Sequence, residues 1–165
     1  KAFAFQKWSD WDNDLYEKIE ASSLNRTRSF SHNITGYDKA PSAIRKAAQN
    51  ISNANLDGFI KIEREDFFRT EKLDPDKSLH IVFNPPYGER LPIDVNVFYS
   101  RIGDNLKQSY VGTQAWFITA NMEALKHVGL RPSSRIKLFN GKLESKLVKY
   151  EIYSGTKKVH KSKTY

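Results

Sequence analysis

Apolar positions along this chain recur at two spacings that take turns, and each change of spacing marks a change of element. Trp11, Leu15 and Ile19, with Tyr16, fall on one face of a helix expected over residues 10–22. Ser9 is placed as its N-cap, and Asp10, Asp12 and Asp14 suit the positive end of a helix dipole. The aromatic-rich residues 1–8 are expected to be a buried lead-in. Residues 33–38 read as a short strand ending in an acid. Ala43, Ile44, Ala47, Ala48 and Ile51 then fall at helical spacing behind Pro41, a residue suited to the first turn. Phe59-Ile60-Lys61-Ile62-Glu63-Arg64 alternates as a strand. Leu79-His80-Ile81-Val82-Phe83 is an apolar run cut off by Asn84-Pro85-Pro86; Pro cannot donate to a sheet ladder, so this strand stops at Asn84. Val95, Phe98, Tyr99, Ile102 and Leu106 make another helical stripe, capped by Asp94, and residues 114–119 another strand. Asn121 opens a short helix to about His127, which Gly129 ends. Two alternating runs flank Asn140-Gly141, which predicts a two-residue type I′ hairpin. Strands alternating with helices and followed by a hairpin predict an α/β fold, its sheet mostly parallel with an antiparallel C-terminal pair.

Composition narrows the chemistry. A chain of 165 residues suffices for one domain with a proper core. It has no cysteine, which excludes disulfides and thiolate metal sites and suits a reducing compartment, here the cytoplasm. The four histidines are scattered without ligand spacing, so no metal is expected. No apolar run approaches a membrane span, and no signal peptide is visible. The net charge is +8, and acids and bases balance through residue 120, so the whole excess lies beyond it. A one-sided basic excess suits a phosphate backbone. Its last part, Lys157-Lys158-Val159-His160-Lys161-Ser162-Lys163, reads equally as a solubilising tail. The chain therefore divides into a domain over residues 1–153 and a basic tail over 154–165.

Three strand ends carry candidate chemistry. Two prolines fix their own φ and push the residue before them towards extended geometry. The tip Asn84-Pro85-Pro86-Tyr87 thus holds an amide, two carbonyls and a ring in fixed relation. It lies at the carboxyl end of a strand, where open α/β sheets bind ligands. An acid such as Asp38, at a strand tip before Lys39, can accept hydrogen bonds from both hydroxyls of a ribose; capping the next helix is its other reading. Asp66, followed by Phe67 and Phe68, can take an adenine by its exocyclic amine and cover one face of it. The alternative is a loop whose phenylalanines fill the core.

Together these residues resemble the class I S-adenosylmethionine-dependent methyltransferases, and within them the THUMP-associated large-subunit rRNA guanine-N2 methyltransferase family. The resemblance covers almost the whole chain. It rests on Phe3-Ala4-Phe5-Gln6-Lys7-Trp8, Ile34-Thr35-Gly36-Tyr37-Asp38, and Ile81-Val82-Phe83-Asn84-Pro85-Pro86-Tyr87-Gly88-Glu89-Arg90-Leu91, with support from Leu130-Arg131-Pro132 and Lys137-Leu138-Phe139-Asn140-Gly141. Asn-Pro-Pro-Tyr marks amino-group methyltransferases, and Gly-Glu-Arg-Leu narrows it to this RNA branch. The resemblance implies a Rossmann-like fold and S-adenosylmethionine as cofactor, held by Asp38 with Lys39 at its ribose and by Asp66 with Phe67 at its adenine. It also implies structured RNA as partner, guanine N2 of 23S rRNA as target, and no metal. One departure stands out: the family's first strand and glycine-rich loop have no match here, nor has its THUMP module. The resemblance thus implies a C-terminal part of a methyltransferase domain. The absent strand would lie between those ending at Asp38 and Asn84, and the chain is expected to fold stably only with that upstream piece.

An exocyclic amine is a poor nucleophile because its lone pair is delocalised into the ring. Asn84 Oδ1 and the Pro85 carbonyl could each accept one of its N–H groups, aiming the lone pair by orientation and electrostatics. Asn84, Pro85 and Tyr87 are thus the expected catalytic set, with Asn84 also beside the cofactor. Pro86 and Tyr87 would contact the base, which Tyr87 would stack upon once it is unstacked from the RNA. Arg90 either meets a phosphate or pairs with Glu89. Competing readings are a DNA adenine-N6 methyltransferase, a tRNA guanine-N2 methyltransferase, and a non-catalytic RNA-binding relic.

Overall fold

In a computed structural model, which describes residues 3–86 and 93–155, helices and strands follow one another in the anticipated order. They are α1 (Asn13–Leu24), β1 (Ile34–Asp38), α2 (Pro41–Asn53), β2 (Ile60–Arg64), β3 (Leu79–Phe83), α3 (Val95–Ser109), β4 (Thr113–Thr119), β5 (Ser134–Asn140) and β6 (Leu143–Ile152). Short 3-10 helices occupy Ala4–Lys7, Phe67–Arg69 and Ala124–Val128. The strands form a two-stranded sheet, β1-β2, and a four-stranded sheet ordered β3-β4-β6-β5. β3 runs parallel to β4, and β6 is antiparallel to both β4 and β5. This is an α/β Rossmann-like fold with a mixed sheet, its parallel part followed by an antiparallel C-terminal hairpin. By contact density the chain forms two units, Lys1–Gly36 with Ala40–Glu63, and Tyr37–Lys39 with Arg64–Tyr165.

The second unit holds the core. Along β4 the side chains alternate between fully and half buried, so one face of its sheet is packed. Phe117 and Ala115 lie on that face beside Val148 and Tyr150 of β6 and under Tyr99, Ile102 and Leu106 of α3. Burying a ring such as Phe117 contributes about 1.5–3 kcal/mol. Asp94 caps α3, accepting from the amides of Asn96 and Val97 at 3.0 and 3.1 Å. α3 packs on the Ala124–Val128 turn at Gly103, where an added methyl would collide with the Val128 carbonyl. Asn121 accepts from the Ala124 amide at 2.8 Å, and Gly129, at φ 65°, closes that turn, both as expected. The other face of the sheet is more open: Trp116 and Ile118 are half buried, and Val82 is 77% exposed.

The first unit departs from expectation. Every fully buried apolar side chain among the described residues belongs to the second unit. Residues 3–8 are not a buried lead-in: Trp8 is 66% exposed, and Phe5 packs locally on Trp11 and Tyr16 at ring distances of 5.5 and 6.3 Å. Leu15 and Ile19, on the expected apolar face of this helix, are exposed. α1 starts at Asn13 rather than Asp10, because Asp12 and not Ser9 is its cap, accepting from the Leu15 amide at 2.9 Å. Several acids in a row offered competing caps, and the helix took the last one able to reach an N3 amide. Pro41 opens α2 as anticipated. In β1, Gly36 gives Ile62 of β2 room: a methyl there would run into the isoleucine's terminal carbon.

The hairpin also differs in its turn. Asn140 pairs with Leu143, so the two loop residues are Gly141 and Lys142 rather than Asn140 and Gly141. Gly141 has φ 63°, and Asn55 is the sole non-glycine residue with positive φ among those described. A single positive φ at the first loop position is the II′ pattern, not I′, which needs both.

Candidate functional site

β1 ends at Asp38 and β2 at Arg64, and these ends lie together because the Glu65 amide donates to the Asp38 carbonyl at 3.2 Å. The Arg64 Nε donates to the Lys39 carbonyl at 3.1 Å, fixing the turn after β1. Asp66 follows directly. Its Oδ1 accepts from the Phe68 amide at 3.1 Å and caps the Phe67–Arg69 turn, while its Oδ2 lies 3.8 Å from Lys39 Nζ. The lysine side chain is 78% exposed and the aspartate 33%, so the pair is wet and weak. Asp38, Lys39 and Asp66 therefore sit together.

Phe67 ties this group to the end of β3. Its ring stacks on Phe83 at 5.3 Å and on Tyr110 at 5.8 Å, so Phe67 fills the core, the alternative reading of this loop. Phe83 is the last residue of β3, and Asn84 follows it. Asn84 is exposed, Pro85 buried and Pro86 half buried. A buried proline ring immobilises the backbone on which the exposed amide sits. The tip is thus anchored on its Pro85 side and open on its Asn84 side. Tyr87 and Arg90 lie outside the described residues.

Three further side chains hold this arrangement, and sequence reasoning did not find them. Asn105 of α3 donates to the Phe67 carbonyl at 2.8 Å. Thr70 donates to the same carbonyl at 2.8 Å and accepts from the Tyr110 hydroxyl at 2.6 Å. Burial pushes the Tyr110 phenol above its ordinary value, while the Thr70 hydrogen bond pulls the other way. A polar residue beside an apolar stripe was the only signal for Asn105, and it does not name a partner.

The donor set suits a nucleoside cofactor. Two carboxylates beside neighbouring strand ends can accept from a ribose diol and from an exocyclic amine. Among the described residues no cluster of three or more His, Cys, Asp or Glu could hold a metal ion. No helix among them is long and apolar enough to cross a membrane. A shallow cleft of about 330 Å³, lined by residues 33–35 and 57–61, opens at the beginnings of β1 and β2 and includes none of the site residues.

A family model described as the RMKL-like methyltransferase domain matches residues 3–149. The chain is similar to the ribosomal RNA large subunit methyltransferase K/L of Allochromatium vinosum, 32% identical over 155 residues, which are 91% of this chain and 21% of that protein. Its similarity to the protein of the same name in Hahella chejuensis is 34% over 161 residues, 92% of this chain and 22% of the relative. The chain thus spans about a fifth of the length of these two relatives. In structure it is similar to SMU.472 in complex with SAH, with a TM-score of 0.76 at 21% identity, over 94% of this chain and 41% of that one. At that identity the likeness concerns the fold.

Proposed function

The chain belongs to the RMKL-like methyltransferase domain family, and from that premise we propose that it supplies the base-binding and ribose-binding part of an S-adenosylmethionine-dependent RNA methyltransferase acting on an exocyclic base amine. The finer reading is guanine N2 of 23S rRNA. The observation that carries it is the Asn84-Pro85-Pro86 tip, joined to Asp38, Lys39 and Asp66 through the Phe67–Phe83 ring contact. SMU.472 was solved with SAH, the demethylated cofactor, which supports the choice of donor.

Asp38 accepts from the cofactor ribose, and Asp66 Oδ2 from its adenine amine. Phe67, next to Asp66 in the chain, stands beside the adenine. When bound, S-adenosylmethionine supplies an electrophilic methyl carbon on a sulfonium. Asn84 Oδ1 and the Pro85 carbonyl accept the two amine hydrogens of the target base. That fixes the nitrogen and favours a tetrahedral lone pair. Tyr87 stacks on the flipped base and Pro86 packs at its edge. Arg90 meets a phosphate. The Gly-rich loop for the methionine end of the cofactor, and a THUMP-type RNA module, come from polypeptide of the same protein outside these residues.

The test is methyl transfer by the full-length protein to 23S rRNA from a strain lacking the gene. Label in a guanine exocyclic amine is expected. Label in DNA adenine or tRNA instead would replace this reading with one of its competitors, and no transfer at all would favour the relic.

A further inference from the structure

The β5–β6 hairpin stands taller than the rest of its sheet, on the same end as Asn84. β4 stops at Thr119, which pairs with Lys146, whereas β6 starts three residues further out at Leu143. At roughly 3.4 Å per residue the hairpin projects about 10 Å past the end of β4. Phe83 pairs with Phe117, so the Asn84-Pro85 step lies level with Thr119 and Lys146. β3 and β6 are two strand spacings apart, roughly 10 Å. The projecting arm therefore rises beside the tip.

Lys137 and Lys146 stand at its base, level with Thr119, with Arg135 one pair step below them on the same face and Phe139 on the projecting part. Lys137 lies directly opposite Lys146, a like-charge pairing that destabilises a sheet. Lys146 is half buried, which raises the cost of that repulsion. Arg135 projects from the same face of β5 as Lys137 and Phe139. Neither Arg135 nor Lys146 has a carboxylate partner among the described residues, and Lys137 has one, Glu144 at 2.8 Å. Phe139 is 65% exposed, and Lys137 Nζ stands 5.2 Å from its ring centre. Concentrated cations around an exposed ring are the pattern of single-stranded nucleic-acid binding, in which phosphates meet the cations and an unpaired base stacks on the ring.

We propose that this arm is a second RNA-contact site. Arg135, Lys137 and Lys146 grip the sugar-phosphate backbone a few nucleotides from the target base, and Phe139 stacks on an unpaired neighbouring base. The inference rests on the RNA reading above. Edge protection against aggregation is the competing use of lysines on an edge strand, and it makes no demand on RNA affinity.

The experiment measures binding of a fluorescein-labelled single-stranded rRNA fragment to the full-length protein over a salt series, together with KM and kcat for methyl transfer. Replacing Arg135, Lys137 and Lys146 with Ala is expected to flatten the slope of log K against log salt by about 2, from roughly 0.7 per cation on a single strand. KM for RNA should rise at least tenfold while cofactor affinity holds. Phe139→Ala should weaken the single strand more than a duplex. Glu144→Gln, which frees Lys137, should tighten binding, an outcome that a merely structural role does not produce. Wild-type binding with unchanged slope and KM in the triple variant would overturn the proposal alone. A wild-type protein that binds no RNA would overturn the RNA reading and the proposal together.

Discussion

Asn84 is the residue on which the proposed chemistry turns. Its side chain is open while the next residue is buried, so an amide is presented from a fixed backbone. Asn84→Ala is expected to lower kcat by about 10²–10³-fold, the range for losing one preorganised transition-state partner. Cofactor affinity, read by calorimetry, should hold. Asp38→Ala should act the other way, raising the cofactor Kd by about tenfold or more, as expected for a hydrogen bond to a charged group. Asn84 was legible in the sequence because two prolines leave a strand no alternative but to end there. Asn105 and Thr70 were not, since each is tied to a residue far along the chain, Asn105 to the Phe67 carbonyl and Thr70 to the Tyr110 hydroxyl. A third residue gives a pH signature. Burial pushes the Tyr150 phenol up to about 12, and its hydroxyl has no hydrogen-bond partner among the described residues. The folded state holds the proton more tightly than the unfolded state, whose value is about 10. That stabilisation is fully present below about pH 10 and is lost as pH rises towards 12. Tm should fall across that window, and Tyr150→Phe should flatten the fall.

At the scale of elements, α3 is the keystone of the second unit. It covers the packed face of the sheet, pins the Phe67 carbonyl, and meets the Ala124–Val128 turn at Gly103. Gly103→Ala should destabilise by about 1–3 kcal/mol, the usual cost of overpacking, because the colliding atom is a backbone carbonyl and not a movable side chain. A lowered denaturation midpoint with unchanged m-value checks this. α3 was legible from Val95 to Leu106 because its stripe faces a real core. The same spacing misled in α1, whose Leu15 and Ile19 stay exposed. Periodicity reports which face is apolar, not whether anything within these residues covers it. The turn type failed for a related reason. Asn-Gly announces a hairpin, but register, set by the long β4–β6–β5 ladder, decides which two residues form the loop.

At the scale of the molecule, core, candidate site and the basic excess beyond residue 120 belong to one unit, while the other carries exposed aromatics and, among its described residues, no fully buried apolar side chain. Among the described residues, β1 pairs only with β2, and β3 only with β4. Residues 1–165 alone are accordingly expected to melt with low cooperativity by calorimetry, and the full-length protein to melt in a sharper transition at higher temperature. The most direct test of the central claim is nucleoside mass analysis of undermethylated 23S rRNA after incubation with S-adenosylmethionine and the full-length protein, wild type or Asn84→Ala. N2-methylguanosine is expected with the wild type and almost none with the variant, at equal cofactor occupancy. Equal product from both proteins, or a methyl group on a ring carbon, would contradict it.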